Sequence, residues 1–179
     1  MIKKMYLAGG CFWCVEHDMR TAFGVVSVVS GYCGEGETKP NYENHQGYRE
    51  AILVEYDDTK TTYKKLLQFF IDHIDPTDNG GQFADRGGSY MSAIYFSNEE
   101  EKKIAEGVIE ELNNSGVYDK KSVVEILPQK EFFKAEEEHQ EFAEKNPEYY
   151  ARYRRGSGRE DFVQRTCQIR EEKNIHWSE

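Results

Sequence analysis

A six-residue stretch near the start constrains this chain more than any other feature: residues 9–14 read Gly-Gly-Cys-Phe-Trp-Cys. A short apolar run at residues 5–8 precedes it, so we expect a strand to stop at the glycines and a helix to begin at Cys11. The first N–H groups of a helix lack internal partners, and the helix dipole places partial positive charge there. Both effects stabilise a thiolate, so we expect the pKa of Cys11 to fall towards neutrality. Cys14 lies one helical turn on, at a spacing that allows a disulfide.

Length, charge and the first residues limit the class of protein. The 179 residues suit a single domain with a sizeable core. The net charge of −10 argues against nucleic acid or an anionic membrane as a partner. No apolar run approaches the ~20 residues that span a bilayer, and the first strand begins too early to leave room for a signal peptide. We therefore expect a cytoplasmic location, where thiols stay reduced.

Apolar periodicity predicts an order in which strands and helices mix. Helices are expected over residues 11–21, 62–74, 97–113 and 132–145, the third opened by a capping box at Ser97 and Glu100. Strands are expected over residues 5–8, 25–32, 49–57, 90–96 and 122–127. This order predicts an α+β fold, a two-layer α/β sandwich of ferredoxin-like type with a mixed, mainly antiparallel sheet. The Tyr- and Arg-rich tail from residue 148 is expected to wrap the body.

Two long glycine-rich loops, residues 33–48 and 77–89, carry polar residues that could meet at one end of this sheet. If they do, they bring four side chains towards Cys11: Tyr42, Glu50, Asp85 and Tyr90. Glu50 begins the more apolar face of its strand, where loss of solvation favours the neutral acid and suits it to proton donation near pH 7. A salt bridge to Arg49 or to another basic residue would lower its pKa instead. The two tyrosines could equally be core residues, and Asp85 a turn former.

Two other uses of the cysteines stay open at this point. Cys11, Cys14 and Cys33 with His45 would make four zinc ligands, although they do not form two paired knuckles. A thioredoxin-like disulfide exchanger also begins a helix at a Cys-x-x-Cys motif. That fold places another strand and helix ahead of the motif, and this chain has little room there.

The chain resembles the A-type peptide methionine sulfoxide reductases in short blocks that keep their order over residues 5–150. The matching blocks are Gly10-Cys11-Phe12-Trp13, Gly31-Tyr32, Asn41-Tyr42, Gly47-Tyr48-Arg49-Glu50-Ala51, Asp75-Pro76-Thr77, Asp85-Arg86-Gly87, Ser89-Tyr90, Ala135-Glu136, His139-Gln140 and Lys145-Asn146-Pro147. The resemblance implies a mixed α/β sandwich. It also implies reduction of the S epimer of methionine sulfoxide to methionine, either free or in oxidised proteins.

The resemblance also assigns roles by position. Cys11 corresponds to the nucleophile, and Phe12 and Trp13 to the wall that holds the substrate methyl group. Glu50 corresponds to the acid. Tyr42 and Tyr90 correspond to the hydroxyls around the sulfoxide oxygen, and Asp85 corresponds to the residue that orders them. These roles fit the chemistry, because a sulfoxide oxygen leaves only once it is protonated and then remains on the attacking sulfur as a sulfenic acid.

The same resemblance implies the partners and the domain organisation. Cys14 would condense with the sulfenic acid at Cys11, and thioredoxin would reduce the resulting disulfide. No metal or nucleotide cofactor is required. We expect a monomer with one catalytic domain over residues 1–179, made of a reductase core at residues 1–150 and an extension at residues 151–179 that packs on it.

Two departures from the family pattern qualify these roles. Many members have Gly where this chain has Cys14, and they recycle through cysteines near the C-terminus. Here the region after residue 147 has only Cys167, so recycling through Cys14 is favoured, with Cys33 or Cys167 as a candidate second relay. The family commonly has His where Tyr48 stands, so we expect different hydrogen bonding behind Glu50.

Overall fold

Strands and helices mix along the whole chain, and the computed structural model describes all of residues 1–179. The strands are β1 Ile2–Ala8, β2 Val25–Gly34, β3 Tyr48–Asp57, β4 Gly81–Gln82, β5 Asp85–Arg86, β6 Ala93–Phe96, β7 Glu125–Pro128 and β8 Phe132–Lys134. The helices are α1 Phe12–Arg20, α2 Tyr63–Asp72, α3 Glu99–Ser115, α4 Phe142–Lys145, α5 Pro147–Ser157 and α6 Arg159–Glu172.

Six strands form one sheet in the order β7-β6-β1-β3-β2-β8, and β4 and β5 form a separate short hairpin. Neighbours pair antiparallel except β6 and β7, which are parallel. The predicted mixed, mainly antiparallel sheet is confirmed. Because β1 and β2 both run antiparallel to β3, their carboxyl ends lie at the same edge as the start of β3. The loops that carry the candidate site residues open at this edge.

The main core lies between one face of the sheet and helices α1, α2 and α3. Its 24 buried residues include Phe12 and Val15 of α1, and Ile52 and Val54 of β3. A smaller cluster of mostly small side chains, including Ala8 and Cys33, lies on the opposite face. This is the predicted two-layer arrangement, in which each strand alternates between a helix-covered face and a face with few large side chains.

The turn between β1 and α1 depends on the second of its two glycines. Gly10 has φ +86°, a conformation that residues with a Cβ rarely adopt. A Cβ there would lie 2.5 Å from the Cβ of Gln82, so the space is also closed. Gly10 therefore lets the chain leave the strand and place Cys11 at the N-cap of α1, as the sequence predicted.

One predicted helix is wrong, and one cap is displaced. Residues 132–145 were expected to form a helix, but they form the edge strand β8, a 3₁₀ turn at Glu137–His139 and the single-turn helix α4. Pairing of β8 with β2 overrides the local helical pattern. The cap of α3 is Asn98 rather than Ser97: its side chain accepts from the Glu101 N–H at 2.9 Å, and the Glu101 carboxylate accepts from the Ser97 N–H at 2.7 Å.

The tail from residue 148 is helical and packs against the body. Pro147 occupies the first turn of α5, where its missing N–H costs nothing. Gly158, with φ +91°, ends α5 and begins the turn into α6. The predicted boundary between residues 150 and 151 falls inside α5, so the helix joins the two parts. No helix in the structure is both long and apolar enough to cross a membrane.

Candidate active site

Cys11 and Glu50 meet at the sheet edge where α1 begins. Cys11 is 5% exposed at the N-cap of α1, and Glu50 is 2% exposed near the start of β3. The Phe12 N–H, in the first turn of the helix, donates to Oε1 of Glu50 at 3.1 Å. The carboxyl group thus occupies the anion-binding end of α1, next to the cysteine.

The pKa of Glu50 rises to about 8, chiefly because burial removes the carboxylate from water. The nearby Asp85 charge raises this pKa further, whereas the hydrogen bonds from the Phe12 N–H and the Tyr90 side chain lower it. The predicted salt-bridge alternative is wrong, because Arg49 points to the other face and pairs with Glu125 at 2.6 Å. Glu50 is therefore a neutral carboxylic acid near pH 7, as the alternation of β3 predicted.

The three other polar residues that the sequence singled out lie in the same site. Tyr42 is in the β2–β3 loop and 37% exposed, Asp85 is in β5, and Tyr90 is in a 3₁₀ turn before β6. Burial raises the pKa of Tyr42 to about 12 and raises that of Tyr90, and the Glu50 and Asp85 charges act on both hydroxyls. The two tyrosines therefore remain proton donors. Tyr48 is not part of this network: its hydroxyl donates to the Gly36 carbonyl at 3.4 Å.

Phe12 and Trp13 form part of an aromatic wall beside Cys11. The Tyr42 ring stacks at 6.2 Å from each of these two rings, and the Phe142 ring stacks on Trp13 at 3.8 Å. The His139 ring lies among these aromatic rings, 4.2 Å from the Tyr42 ring, and its Nδ1 accepts from the Trp13 Nε1–H at 3.2 Å. The wall suits a small apolar group such as a methyl thioether.

The hydrogen bond from the Trp13 indole N–H fixes which ring nitrogen of His139 carries the proton. Glu136, Glu138 and His139 are the one acidic and imidazole cluster with metal-ligand spacing. An indole N–H can only donate, so Nδ1 of His139 must accept and, in the neutral ring, Nε2 carries the proton. Burial lowers the pKa of His139, which favours that neutral ring. Neither nitrogen then offers a free lone pair, and the cluster does not fit a metal ion.

The two thiols of α1 act on each other, and their protonation differs from the expectation. Burial raises the pKa of Cys11, so the helix N-terminus does not by itself make this thiol acidic. The Cys14 sulfur is the acidic one: hydrogen bonding from the Cys11 thiol, opposed by burial and aided by Arg159 and Tyr150, lowers the pKa of Cys14 to about 6. All four cysteines are free thiols.

The remaining cysteines lie away from this pair. Cys33 pairs with Arg49 across the sheet and faces the side opposite Glu50, where burial raises its pKa to about 11. Cys167 is exposed on α6, about 12 Å along the helix from Arg159. The zinc alternative fails on this geometry, because Cys33 is separated by the sheet from Cys11 and Cys14.

Sequence reasoning missed the side chains that the C-terminal helices bring to the two sulfurs. Tyr153 of α5 hydrogen-bonds the Asp85 carboxylate and acts on Cys11 as well. Tyr150 and Arg154 of the same helix, with Arg159 of α6, lie on the Cys14 side. The sequence did carry a signal, since Tyr150, Tyr153 and Arg154 recur at the three- and four-residue spacing of one helix face.

These features define a class of protein. The site contains two interacting thiols, a neutral carboxylic acid, phenolic donors and an aromatic wall. These are the groups that a thiol oxidoreductase uses to act on a small, oxygen-bearing substrate.

The family model described as peptide methionine sulfoxide reductase matches residues 3–171, and the chain belongs to this family. A peptide methionine sulfoxide reductase MsrA from Bacillus velezensis is 46% identical over 160 residues, covering 87% of this chain and 90% of that protein. The protein of the same name from Bacillus subtilis is 44% identical over 160 residues, again covering 87% and 90%.

Solved structures agree with this assignment. The reduced form of Mxr1 from Saccharomyces cerevisiae matches with a TM-score of 0.74 and 28% identity, covering 82% of this chain and 86% of that chain. Methionine sulfoxide reductase A of Corynebacterium diphtheriae matches with a TM-score of 0.70 and 29% identity, covering 82% and 76%. The thioredoxin-like alternative is not supported, because the fold matches methionine sulfoxide reductases.

Proposed function

We propose that this chain reduces the S epimer of methionine sulfoxide, free or in oxidised proteins, to methionine. The observation that carries the proposal is Glu50, a carboxylic acid that burial keeps neutral near pH 7 beside the Cys11 thiol. A sulfoxide oxygen is a poor leaving group until it accepts a proton. Glu50 supplies that proton, and the Tyr42 and Tyr90 hydroxyls hold the oxygen as its S–O bond breaks.

In the first half of the cycle, the Cys11 sulfur attacks the sulfoxide sulfur and loses its thiol proton, which replaces on Glu50 the proton given to the sulfoxide oxygen. The substrate methyl group packs against Phe12 and Trp13, and this fixes the orientation of the sulfoxide sulfur and its oxygen relative to the Cys11 sulfur. The oxygen passes to Cys11 as a sulfenic acid, and methionine leaves. Asp85 orders the hydroxyls from β5. Because the wall and the acid lie on fixed sides of Cys11, only one sulfoxide epimer presents both its methyl group and its oxygen correctly.

In the second half of the cycle, Cys14 condenses with the sulfenic acid to form a disulfide and water. Cys14 is the only second thiol beside Cys11, which supports it over Cys33 and Cys167 as the resolving residue. A dithiol such as thioredoxin then returns both thiols by exchange. A cycle that ends in two free thiols suits the cytoplasm, where thiols stay reduced, and we propose that location.

The epimers of methionine sulfoxide test this function directly. Reduced protein with thioredoxin and its reductase should release methionine from the S epimer and not from the R epimer, with free methionine sulfoxide and an oxidised peptide both accepted. Equal turnover of both epimers would contradict the assigned geometry. Reduction of insulin disulfides without any sulfoxide turnover would show a disulfide exchanger instead.

A further inference from the structure

The Cys14 sulfur lies beneath the C-terminal helices. Cys14 is fully buried and packs in one cluster with Cys11, Ala143 and Tyr150. Tyr150 is itself 5% exposed, and its hydroxyl approaches Cys14 closely enough to act on its ionisation. The first half of the cycle makes no use of Tyr150, although its side chain packs in the same buried cluster as the second reacting sulfur.

The hydrogen-bond direction at Tyr150 is set by its neighbour Arg154. A guanidinium can only donate, so Nη1 of Arg154 donates to the Tyr150 oxygen at 2.9 Å. Arg154 is held in place by Asp18 at 3.0 Å and Glu160 at 2.5 Å. With its oxygen engaged, the Tyr150 hydroxyl directs its own hydrogen elsewhere, and Cys14 is the reactive acceptor beside it.

Arg159 adds a positive charge that no carboxylate balances. It is 1% exposed, and its guanidinium donates to the backbone carbonyls of His73 at 3.1 Å and Gly9 at 2.9 Å and packs over the Phe83 ring. No ion pair to Arg159 is present in the structure. A buried cation without a partner is costly, and a thiolate at Cys14 would balance it.

We propose that Tyr150 and Arg159, brought in by α5 and α6, hold Cys14 as a resident thiolate that attacks the Cys11 sulfenic acid. This inference rests on the proposed function. The thiolate attacks the sulfenic sulfur, the new S–S bond forms as the S–O bond breaks, and the departing hydroxide takes a proton from solvent to become water. The sulfenic sulfur is reduced and Cys14 is oxidised, so no other oxidant is needed.

Several other charged or titratable groups face Cys14, and they define what the test must separate. Cys11 lies on the same helix, Glu50 on β3 and Tyr153 on α5, while Arg154 carries its own two carboxylates. Glu50 and Tyr153 are neutral near pH 7, and Arg154 is already paired. The Tyr150 hydroxyl and the Arg159 charge are therefore the contributions from the C-terminal helices that a substitution can remove selectively.

The first test titrates Cys14 without any sulfoxide chemistry. In a Cys11→Ser, Cys167→Ser background, thiolate absorbance should report Cys14 alone, since burial raises the pKa of Cys33 to about 11. Tyr150→Phe and Arg159→Met should each raise the Cys14 midpoint by about one to two units. The matched controls are Tyr63→Phe, whose hydroxyl has no partner, and Arg155→Met, on the exposed side of α5. Unchanged midpoints in the test variants would overturn the proposal.

The second test follows disulfide closure with both cysteines present. Reduced protein receives one equivalent of methionine-S-sulfoxide, and the Cys11 sulfenic acid is trapped with a cyclic dione at successive times and pH values. Tyr150→Phe should close the disulfide about two- to sixfold more slowly near pH 6. It should close faster than wild type at alkaline pH, where the more basic thiolate is fully formed and more nucleophilic.

Closure by Tyr150→Phe that is slower than wild type near pH 6 and faster at alkaline pH is specific to a change in Cys14 ionisation. A purely structural defect would slow closure by the same factor at every pH, and that result would contradict the proposal. Failure of the wild type to release methionine would defeat the proposed function, whereas the titration would still decide whether Tyr150 and Arg159 stabilise the thiolate. Tyr63→Phe should follow the wild-type profile throughout.

Discussion

Among single residues, Glu50 links the fold to the chemistry most directly. It is placed on the buried face of β3 by strand alternation, and the same burial that favours its proton-donating form makes its ionisation unfavourable. The acid form is therefore present where the reaction needs it, at a cost in stability that grows with pH.

Glu50→Gln tests the acid. The amide can still accept from the Phe12 N–H but cannot release a proton, so methionine formation should fall by about a hundredfold or more. Wild-type activity should decline as pH rises through about 8, because Glu50 loses its proton there. Glu55→Gln, on the opposite face of β3, is the matched control and should keep both rate and profile. A variant with the wild-type rate would remove Glu50 from the mechanism.

The same variant should gain stability at high pH. The folded protein raises the pKa of Glu50 to about 8 from about 4.3 in the unfolded chain, so its stabilising contribution is full below the lower value and lost as pH approaches 8. Denaturant unfolding should show Glu50→Gln more stable than wild type by at least about 1 kcal/mol at pH 8. The difference should shrink at pH 4. A variant that is less stable at both pH values would show that the carboxyl is not destabilised by burial.

At the scale of single residues, the sequence predicted the positions of the site residues better than it predicted the directions of their pKa shifts. Alternation in β3 was enough to place Glu50 among apolar neighbours. The pKa of Cys11 was predicted in the wrong direction, because the helix N-terminus is a local feature whereas burial by α5 is a tertiary one. The tyrosines and arginines of α5 and α6 touch the sulfurs only once the tail has packed.

Among the elements, α1 organises the site, because its first turn presents both thiols and the Phe12 and Trp13 side chains of the aromatic wall. The turn from β1 into α1 was predicted from two glycines and a change of period. The stretch at residues 132–145 was not, because a three-residue edge strand is decided by pairing with β2 and leaves little local signal. Long periodic helices such as α2 were recognised because their apolar stripe repeats over several turns.

Cys14→Ser tests the resolving role within α1. Turnover with thioredoxin should fail, while one equivalent of methionine should still form in a single turnover, because Cys11 and its acid remain. A small dithiol should restore some turnover by reducing the sulfenic acid directly. Cys167→Ser, in an exposed position on α6, is the control and should recycle normally. Full thioredoxin-driven turnover by Cys14→Ser would move the resolving role to another cysteine.

At the scale of the whole molecule, the C-terminal helices are an integral part of the fold and not a peripheral addition to it. Arg154 joins α5 to α1 through Asp18, and Arg159 reaches the turn at Gly9 from α6. The sequence predicted the sheet type and a tail that packs on the body. It could not predict the strand order or these buried arginines, because both depend on contacts between residues far apart in the chain, 136 positions for Arg154 with Asp18 and 150 for Arg159 with Gly9.

Arg154→Met should destabilise the whole protein. It leaves Asp18, which is largely buried, without its ion-pair partner, and the loss should be about 3–5 kcal/mol in denaturant unfolding. Arg155→Met, at the next position of α5 but exposed, should change the free energy of unfolding by less than about 0.5 kcal/mol. Equal stability of the two variants would show that α5 is not anchored through Arg154.

A single turnover without reductant tests the central claim most directly. Reduced wild-type protein mixed with excess methionine-S-sulfoxide should release one equivalent of methionine and lose two free thiols, with Cys11 and Cys14 joined in one disulfide-linked peptide. Cys11→Ser should release none. Methionine release by Cys11→Ser, or release by the wild type without a Cys11–Cys14 disulfide, would contradict the account.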